Sequence, residues 1–138
     1  MNYFDANDNI RADLLGKEAY DQAKSFIVYY YNRNREKKLD TNKSLTSAQL
    51  RRFFNEFRRL EKKVKIEGFE RVKPLIKMVK SKAAYASNPK KPKIPQTFKD
   101  FLVKHIDTIN SEKEFQAFML HFEAVVGFFY GFEGVKNN

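Results

Sequence analysis

The chain has 138 residues, with 27 Lys and Arg against 17 Asp and Glu, and it has no cysteine. The length fits one domain, and the lack of cysteine excludes a disulfide framework and a thiolate metal site. The sequence has no run of about twenty apolar residues, which a membrane span would need, and its first residues lack the apolar core of a secretory signal.

The first predicted helix covers residues 17–32, after a segment that we expect to be flexible. Residues 1–15 of that segment mix acids and asparagines with few periodic apolar positions. The helix is predicted because apolar residues then recur at helical spacing. These residues are Ala19, Ala23, Phe26, Ile27 and Tyr30. The run "IVYYY" favours a strand, and the basic stretch after it is either a loop or an extension of the helix to Leu39.

The second and third helices are predicted at residues 47–68 and 69–86. Thr46 and Ser44 precede the second helix, and the hydroxyl of either one can act as N-cap by accepting a hydrogen bond from a free backbone amide. Pro74 lies near the start of the third helix, where its missing N–H is tolerated, and it would kink a helix that begins earlier. The stretch "SNPKKPKIPQ" then predicts an extended loop, the proline loop.

Two capping-box patterns precede the last two helices. Thr97 with Asp100 predicts a helix over residues 98–109. Ser111 with Glu114 predicts a helix over residues 112–130, which the glycines at 131 and 134 end.

These elements predict an all-α fold, a small bundle of about five helices. We expect residues 16–134 to form a single helical domain and residues 135–138 to form a tail. The last helix is apolar over more of its circumference than one stripe needs. It is therefore the central helix of the bundle, or it has an exposed patch that meets another subunit, or both.

The second helix separates aromatic from basic residues. At about 100° per residue, its apolar side chains fall within an arc of roughly 120°. Its phenylalanines are therefore predicted to pack in the core rather than to stack on bases. The apolar set is Leu50, Phe53, Phe54, Phe57, Leu60 and Val64. The opposite set is Arg51, Asn55, Arg58, Arg59 and Lys62, and it is flanked by Arg52 and Lys63.

This basic face predicts a polyanionic partner. Like charges at i,i+4 spacing destabilise a helix, and phosphates would offset that repulsion. Lys73, Lys77 and Lys80 share a face of the third helix, and further lysines lie on the proline loop. Together with the net charge of +10, this pattern favours a track along a nucleic-acid backbone, with an anionic membrane surface as the alternative.

The residues give little support for catalysis. His105 and His121 lie on different predicted helices, and we interpret each as a helix-surface or core-edge residue. No common catalytic or metal-binding motif is present. We therefore predict a protein that is not an enzyme and has no catalytic residue, metal or cofactor, although a nuclease site of a few scattered residues stays an alternative.

Three segments, in the same order, resemble a known family. They are "LTSAQLRRFFNEFRRL" at residues 45–60, "KPLIKMVKSKAAYA" at 73–86 and "FQAFMLHFEAVVGFFYGFEG" at 115–134. Together they resemble the small helical subunit of the type III-A CRISPR effector complex, the Csm complex. The resemblance covers about two thirds of the chain.

The resemblance implies a non-catalytic, cytoplasmic subunit that stacks in several copies along the guide RNA and its target RNA, beside other Csm-complex subunits and away from any membrane. A free-standing nucleic-acid-binding module, or a basic membrane-surface or protein-interaction domain, stays the alternative. The resemblance and the basic face together give the predicted RNA-binding residues Arg51, Arg52, Arg58, Arg59, Lys62, Lys77, Lys80 and Lys82.

Overall fold

The computed structural model describes residues 2–132, and most of them are helical. The elements are α1 (Ala12–Leu15), α2 (Lys17–Lys24), β1 (Tyr29–Tyr31), β2 (Lys37–Leu39), α3 (Ser47–Glu67), α4 (Phe69–Ala86), α5 (Gln96–Thr108) and α6 (Glu112–Tyr130). Apart from the single turn α1, five helices make up the bundle, which confirms the predicted all-α class. Gly134 and the expected tail at residues 135–138 lie outside the described residues.

Helix α6 is central in the packing. It contacts α1, α2 and α3, while α4 packs between α3 and α5. Eight of its side chains are buried, including Phe118 and Phe122. The ring of Phe57 from α3 meets Phe118 edge-on with centroids 5.0 Å apart, and Phe101 from α5 meets Phe122 in the same way at 5.3 Å. Edge-to-face aromatic pairs of this kind stabilise a core beyond the area they bury.

Helix α3 begins at a complete capping box. The Thr46 hydroxyl accepts the Gln49 amide at 3.2 Å, and Gln49 Oε1 accepts the Thr46 amide at 3.1 Å. Thr46 is thus the N-cap, as one of the two predicted alternatives had it. The reciprocal bonds satisfy two amides that the start of a helix otherwise leaves free.

A single residue, Gly68, separates α3 from α4. Its backbone has φ 93° and ψ 152°, a conformation that is open almost only to glycine. The chain therefore reverses between two long helices without a loop. Pro74 lies inside α4. Because proline has no N–H, the helix lacks the hydrogen bond that would run from this position to the carbonyl oxygen of Glu70.

The first predicted helix ends early, and a β-hairpin replaces its second half. Helix α2 stops at Lys24, and the tyrosines of β1 pair with β2 in an antiparallel ribbon. The prediction of a helix over residues 17–32 was therefore wrong beyond Lys24, where the run "IVYYY" had favoured a strand. The backbone of Phe26 and Val28 bonds instead to Leu45 and Ser44, contacts that a local pattern does not reveal.

The N-terminal residues 2–15, expected to be flexible, pack against the bundle. Tyr3 is 1% exposed and Leu14 is fully buried. Arg11 pairs with Glu18 at 2.5 Å and so ties the segment to α2. The segment has too few apolar residues to show a periodic pattern, yet Tyr3 and Leu14 are buried in the core.

The capping predictions for the last two helices had different outcomes. Ser111 caps α6 by accepting the Glu114 amide, as predicted. The predicted cap at Thr97 was wrong, since α5 begins one residue before Thr97, with Pro95 at the N-cap position. Asp100 instead accepts a hydrogen bond from the Gln96 side chain at 2.9 Å.

Candidate nucleic-acid interface

Helix α3 exposes a basic face and buries an apolar one, as its pattern predicts. The apolar side chains are buried except for half-buried Phe54, so the rings on this helix pack in the core. Arg58 is half-buried at the α6 side of the helix. The exposed basic residues of the predicted set on α3 are Arg51, Arg52, Arg59 and Lys62.

Several of the predicted cations already have carboxylate partners. Arg58 pairs with Glu61 at 2.9 Å and with Glu123 of α6 at 3.4 Å. Arg59 and Lys82 both pair with Glu56, each at 2.8 Å. The hydrogen bond from Arg59, supported by Lys82, lowers the pKa of Glu56 to about 2. The pairs with Glu123 and Lys82 link α3 to α6 and α4, and all four pairs partly neutralise the face.

Lys77 and Lys80 point to α5 rather than to the α3 face. Lys77 Nζ donates to the carbonyl oxygens of Ile106 and Ile109, each at 2.6 Å. Its burial lowers the pKa of this ammonium. Lys80 pairs with Asp107 at 2.5 Å. The eight predicted residues therefore do not form one continuous track.

Besides Lys77, which bonds to carbonyl oxygens, three of the predicted cations have no carboxylate within ion-pair distance in the described part of the chain. Arg52 and Lys62 have no hydrogen-bond partner among the described residues either. Arg51 Nε donates to the Tyr130 hydroxyl at 3.2 Å, which leaves its other N–H groups available. These side chains can bind an anion without breaking an existing pair.

Arg52 also lines a groove of about 290 Å³ between α3, the end of α4 and the proline loop. The groove is open to solvent and continues into a second depression of about 510 Å³ between the loop before α3 and the proline loop. The two share Gln49, Lys93 and Ile94, and we call them together the basic groove. Lys82, Tyr85 and Ala86 form its wall on α4, Glu56 lines it from α3, and Lys43 lies at its far end.

The proline loop is held in place over the end of α4. The amides of Lys93 and Ile94 donate to the carbonyl of Ala86 at 2.7 and 3.2 Å, and Ile94 is buried. Lys93 Nζ is thereby placed 5.9 Å from the centroid of the Tyr85 ring. Tyr85 itself is 75% exposed.

The groove combines groups that suit a nucleic-acid strand. Arginine can bind phosphate through two parallel bonds, lysine adds a point charge, and an exposed ring offers a face to a base. The sequence pattern predicts no role for Tyr85, and it places Lys93 only among the lysines of a basic loop. The available signal was the position of Tyr85 on the polar side of the third predicted helix.

The histidines are in the core and not at the surface or its edge, so that interpretation was wrong. His105 Nδ1 lies 2.7 Å from the Tyr3 hydroxyl, and His121 Nδ1 lies 2.5 Å from the carbonyl oxygen of Leu14. Burial lowers the pKa of both imidazoles. Among residues 2–132, no group of three or more acidic or histidine side chains could hold a metal, and none of the helices could cross a membrane.

The fold and the surface define a class, a small helical bundle with a groove lined by Arg52 and Lys93, neither of which has a carboxylate partner among residues 2–132. A family model described as Csm2 Type III-A matches residues 21–134. The chain belongs to this Csm2 family and is a small subunit of the type III-A CRISPR Csm complex, with other Csm subunits as its partners. No curated protein and no solved structure matches the chain.

Proposed function

We propose that this subunit binds the phosphate backbone of the guide RNA and target RNA without reading sequence, and that several copies stack along the strand. It contributes no catalysis and acts in the cytoplasm. The observation that carries the proposal is the basic groove, where Arg52 and Lys93 have no carboxylate partner among the described residues.

The groove favours backbone contacts over base recognition. Its basic side chains are flexible cations, which bind phosphate wherever the strand places it. Gln49 is a base-reading residue type, but its Oε1 is engaged in the capping box of α3. We therefore expect affinity that depends on salt and differs little between sequences.

The test is the anisotropy of a labelled single-stranded RNA, titrated at several salt concentrations with the wild type and with Arg52→Glu/Lys93→Glu. The variant should bind at least about tenfold more weakly. Its plot of log K against log salt should be shallower by about 1.4, because each lost phosphate contact on a single strand removes about 0.7.

The matched control is Lys24→Glu/Lys104→Glu. It makes the same change in net charge at two exposed lysines on α2 and α5 that do not line the groove. The control should bind RNA as the wild type does. Equal losses in both variants would show that overall charge, and not this groove, attracts RNA.

Stacking of copies is supported by an aromatic patch at the C-terminal end of α6. Tyr20 meets Phe128 and Phe132 edge-on, each with centroids 5.5 Å apart. Tyr20 is still 40% exposed and Phe128 is 36% exposed. Exposed rings that adjoin one another are typical of a protein contact.

Sedimentation velocity on a long RNA tests this contact. Tyr20→Ser/Phe128→Ser should reduce the number of copies bound per strand at a given concentration, because each copy then loses its neighbour. Met78→Ser, at an exposed methionine on α4, is the control and should leave that number unchanged. An equal number with the double variant would contradict a contact through this patch.

Two further assays address the alternatives. RNA incubated with the protein and Mg²⁺ or Mn²⁺ should stay intact, whereas cleavage that follows the protein through purification would contradict a non-catalytic role. Vesicles containing anionic lipid should compete weakly with RNA, whereas binding to vesicles in preference to RNA would support a membrane-surface protein.

A further inference from the structure

The β-hairpin exposes three consecutive aromatic rings. Tyr29, Tyr30 and Tyr31 are 39%, 49% and 69% exposed, although large aromatic side chains are normally buried. Within the described residues no third strand covers either edge of the ribbon. The rings are therefore available to a partner.

The hairpin register places a lysine directly opposite each of the two most exposed rings. Tyr31 pairs with Lys37 and Tyr30 pairs with Lys38. Directly opposed side chains in an antiparallel pair have Cβ atoms about 5 Å apart and lie on the same face. Because successive residues alternate between faces, one face of the ribbon has Tyr30 beside Lys38, and the other has Tyr31 beside Lys37 together with Tyr29.

The charges of the hairpin are largely unpaired. Lys38 lies 3.6 Å from Glu36, whereas Arg33, Arg35 and Lys37 have no carboxylate within ion-pair distance in the described part of the chain. Lys37 Nζ lies 4.4 Å from the centroid of the Tyr29 ring, so that ring is already covered on one side. The hairpin thus has cations in excess beside rings, which suits an anionic aromatic ligand.

The hairpin is fixed to the basic groove. The Val28 amide donates to Ser44 Oγ at 2.8 Å and the Asp40 amide donates to the Val28 carbonyl at 2.7 Å. Ser44 and its neighbour Lys43 line the far end of the groove. The ribbon therefore begins beside the far end of the groove.

From these observations we infer that Tyr30 and Tyr31 stack on unpaired bases of the RNA whose backbone lies in the basic groove, while Lys37 and Lys38 bind the adjoining phosphates. The inference rests on the proposed function and adds the class of ligand, single-stranded rather than fully paired RNA. Stacking on a ring tolerates any base, so it is compatible with binding that does not read sequence.

The test compares Tyr30→Leu/Tyr31→Leu with the matched control Tyr30→Phe/Tyr31→Phe, on a labelled single-stranded RNA and on inorganic polyphosphate. The leucine variant should lose roughly fivefold or more in RNA affinity, since each stacked base contributes about 1–3 kcal/mol. Its affinity for polyphosphate, which has no bases, should be unchanged. The phenylalanine variant, which keeps the rings, should bind both as the wild type does.

Three results would overturn the inference. The first is RNA binding by the leucine variant equal to that of the wild type. The second is a loss of polyphosphate affinity as large as the loss of RNA affinity. The third is a changed association state of the protein with RNA affinity unchanged. If Arg52→Glu/Lys93→Glu lost RNA binding and the leucine variant kept it in full, only the role of the hairpin would be contradicted. If the wild type did not bind RNA, the proposed function would be contradicted as well. Circular dichroism of each variant should match the wild type, because the substituted rings are exposed.

Discussion

Gly68 determines how tightly α3 turns into α4. A side chain at this residue would have free space, since nothing lies within 4 Å of where its Cβ would be. The cost of a substitution therefore comes from the backbone alone, because φ 93° is strained for any residue that has a Cβ.

Gly68→Ala should lower the free energy of unfolding by about 1–3 kcal/mol, measured by urea denaturation. Gly127→Ala is the control, since this helical glycine also has open space around it and an ordinary φ. It should be neutral or slightly stabilising because alanine favours a helix. A neutral Gly68→Ala would show that the chain can turn here in another conformation.

The buried histidines make stability depend on pH. Both have a pKa below the ordinary value, mainly through burial, so the folded protein disfavours their charged forms. Unfolded histidine takes up a proton near pH 6.5, so the unfolded state binds more protons below that value. The charged neighbours Glu18, Arg11 and Lys104 act on this pair, and their effects are smaller than that of burial.

The contribution of these histidines to the free energy of unfolding should therefore be constant above about pH 6.5. Below pH 6.5 the free energy of unfolding should fall by up to about 1.4 kcal/mol per pH unit for each histidine. Urea denaturation at pH 7.5, 6.5 and 5.5 measures this fall. His121→Gln keeps a donor for the Leu14 carbonyl and should show a smaller slope. A wild-type stability that is constant across this range would contradict neutral histidines in the core.

At the scale of single elements, the start of α3 depends on Thr46. Its hydroxyl caps the helix that holds Arg52 in the groove. Thr46→Ala should lower the free energy of unfolding by about 1 kcal/mol. Thr97→Ala, at an exposed threonine that caps no helix, is the control and should change stability little. Equal effects on thermal denaturation would show that the capping box contributes nothing.

Lys77 stabilises the end of α5, although its sequence position predicts RNA binding. Its ammonium group binds two carbonyl oxygens where the helix dipole is negative. Lys77→Met should lower the free energy of unfolding by about 1–2 kcal/mol. The salt dependence of RNA binding should stay unchanged.

Lys73→Met is the control for this prediction, because Lys73 lies one turn earlier on α4 and has no hydrogen-bond partner among the described residues. It should leave stability nearly unchanged. If Lys77→Met made the salt dependence of RNA binding shallower and left stability unchanged, Lys77 would be an RNA-binding residue and not a stabiliser of α5.

The elements differ in how far local sequence determines them. Helix α3 was predictable because its own apolar stripe and its own cap specify it. The helix over residues 17–32 was not, because Ala19, Ala23, Phe26 and Ile27 are buried as a helix would require, yet α2 stops at Lys24. Bonds to Ser44 and Leu45 decide that end, and they join residues far apart in sequence.

At the scale of the whole molecule, the positive charge was predictable but its distribution was not. The sequence shows that Lys80 and Lys82 lie on the basic helix that follows the helix of Arg59. It does not show that Asp107 and Glu56, on other helices, pair with these lysines. The groove likewise forms only where the proline loop crosses the end of α4. The candidate site was therefore predicted as a set of charges, and folding selects which of them remain free.

The packing of the N-terminal segment has a consequence for synthesis on the ribosome. Tyr3 contacts His105, and the Leu14 carbonyl contacts His121, so each contact joins residues more than a hundred positions apart. Neither contact can form until the second partner has left the exit tunnel. Helices α3 and α4 can pair earlier, since they are adjacent in sequence. The nascent chain should thus hold a two-helix intermediate with exposed phenylalanines until α6 emerges, and such an intermediate is a target for chaperones.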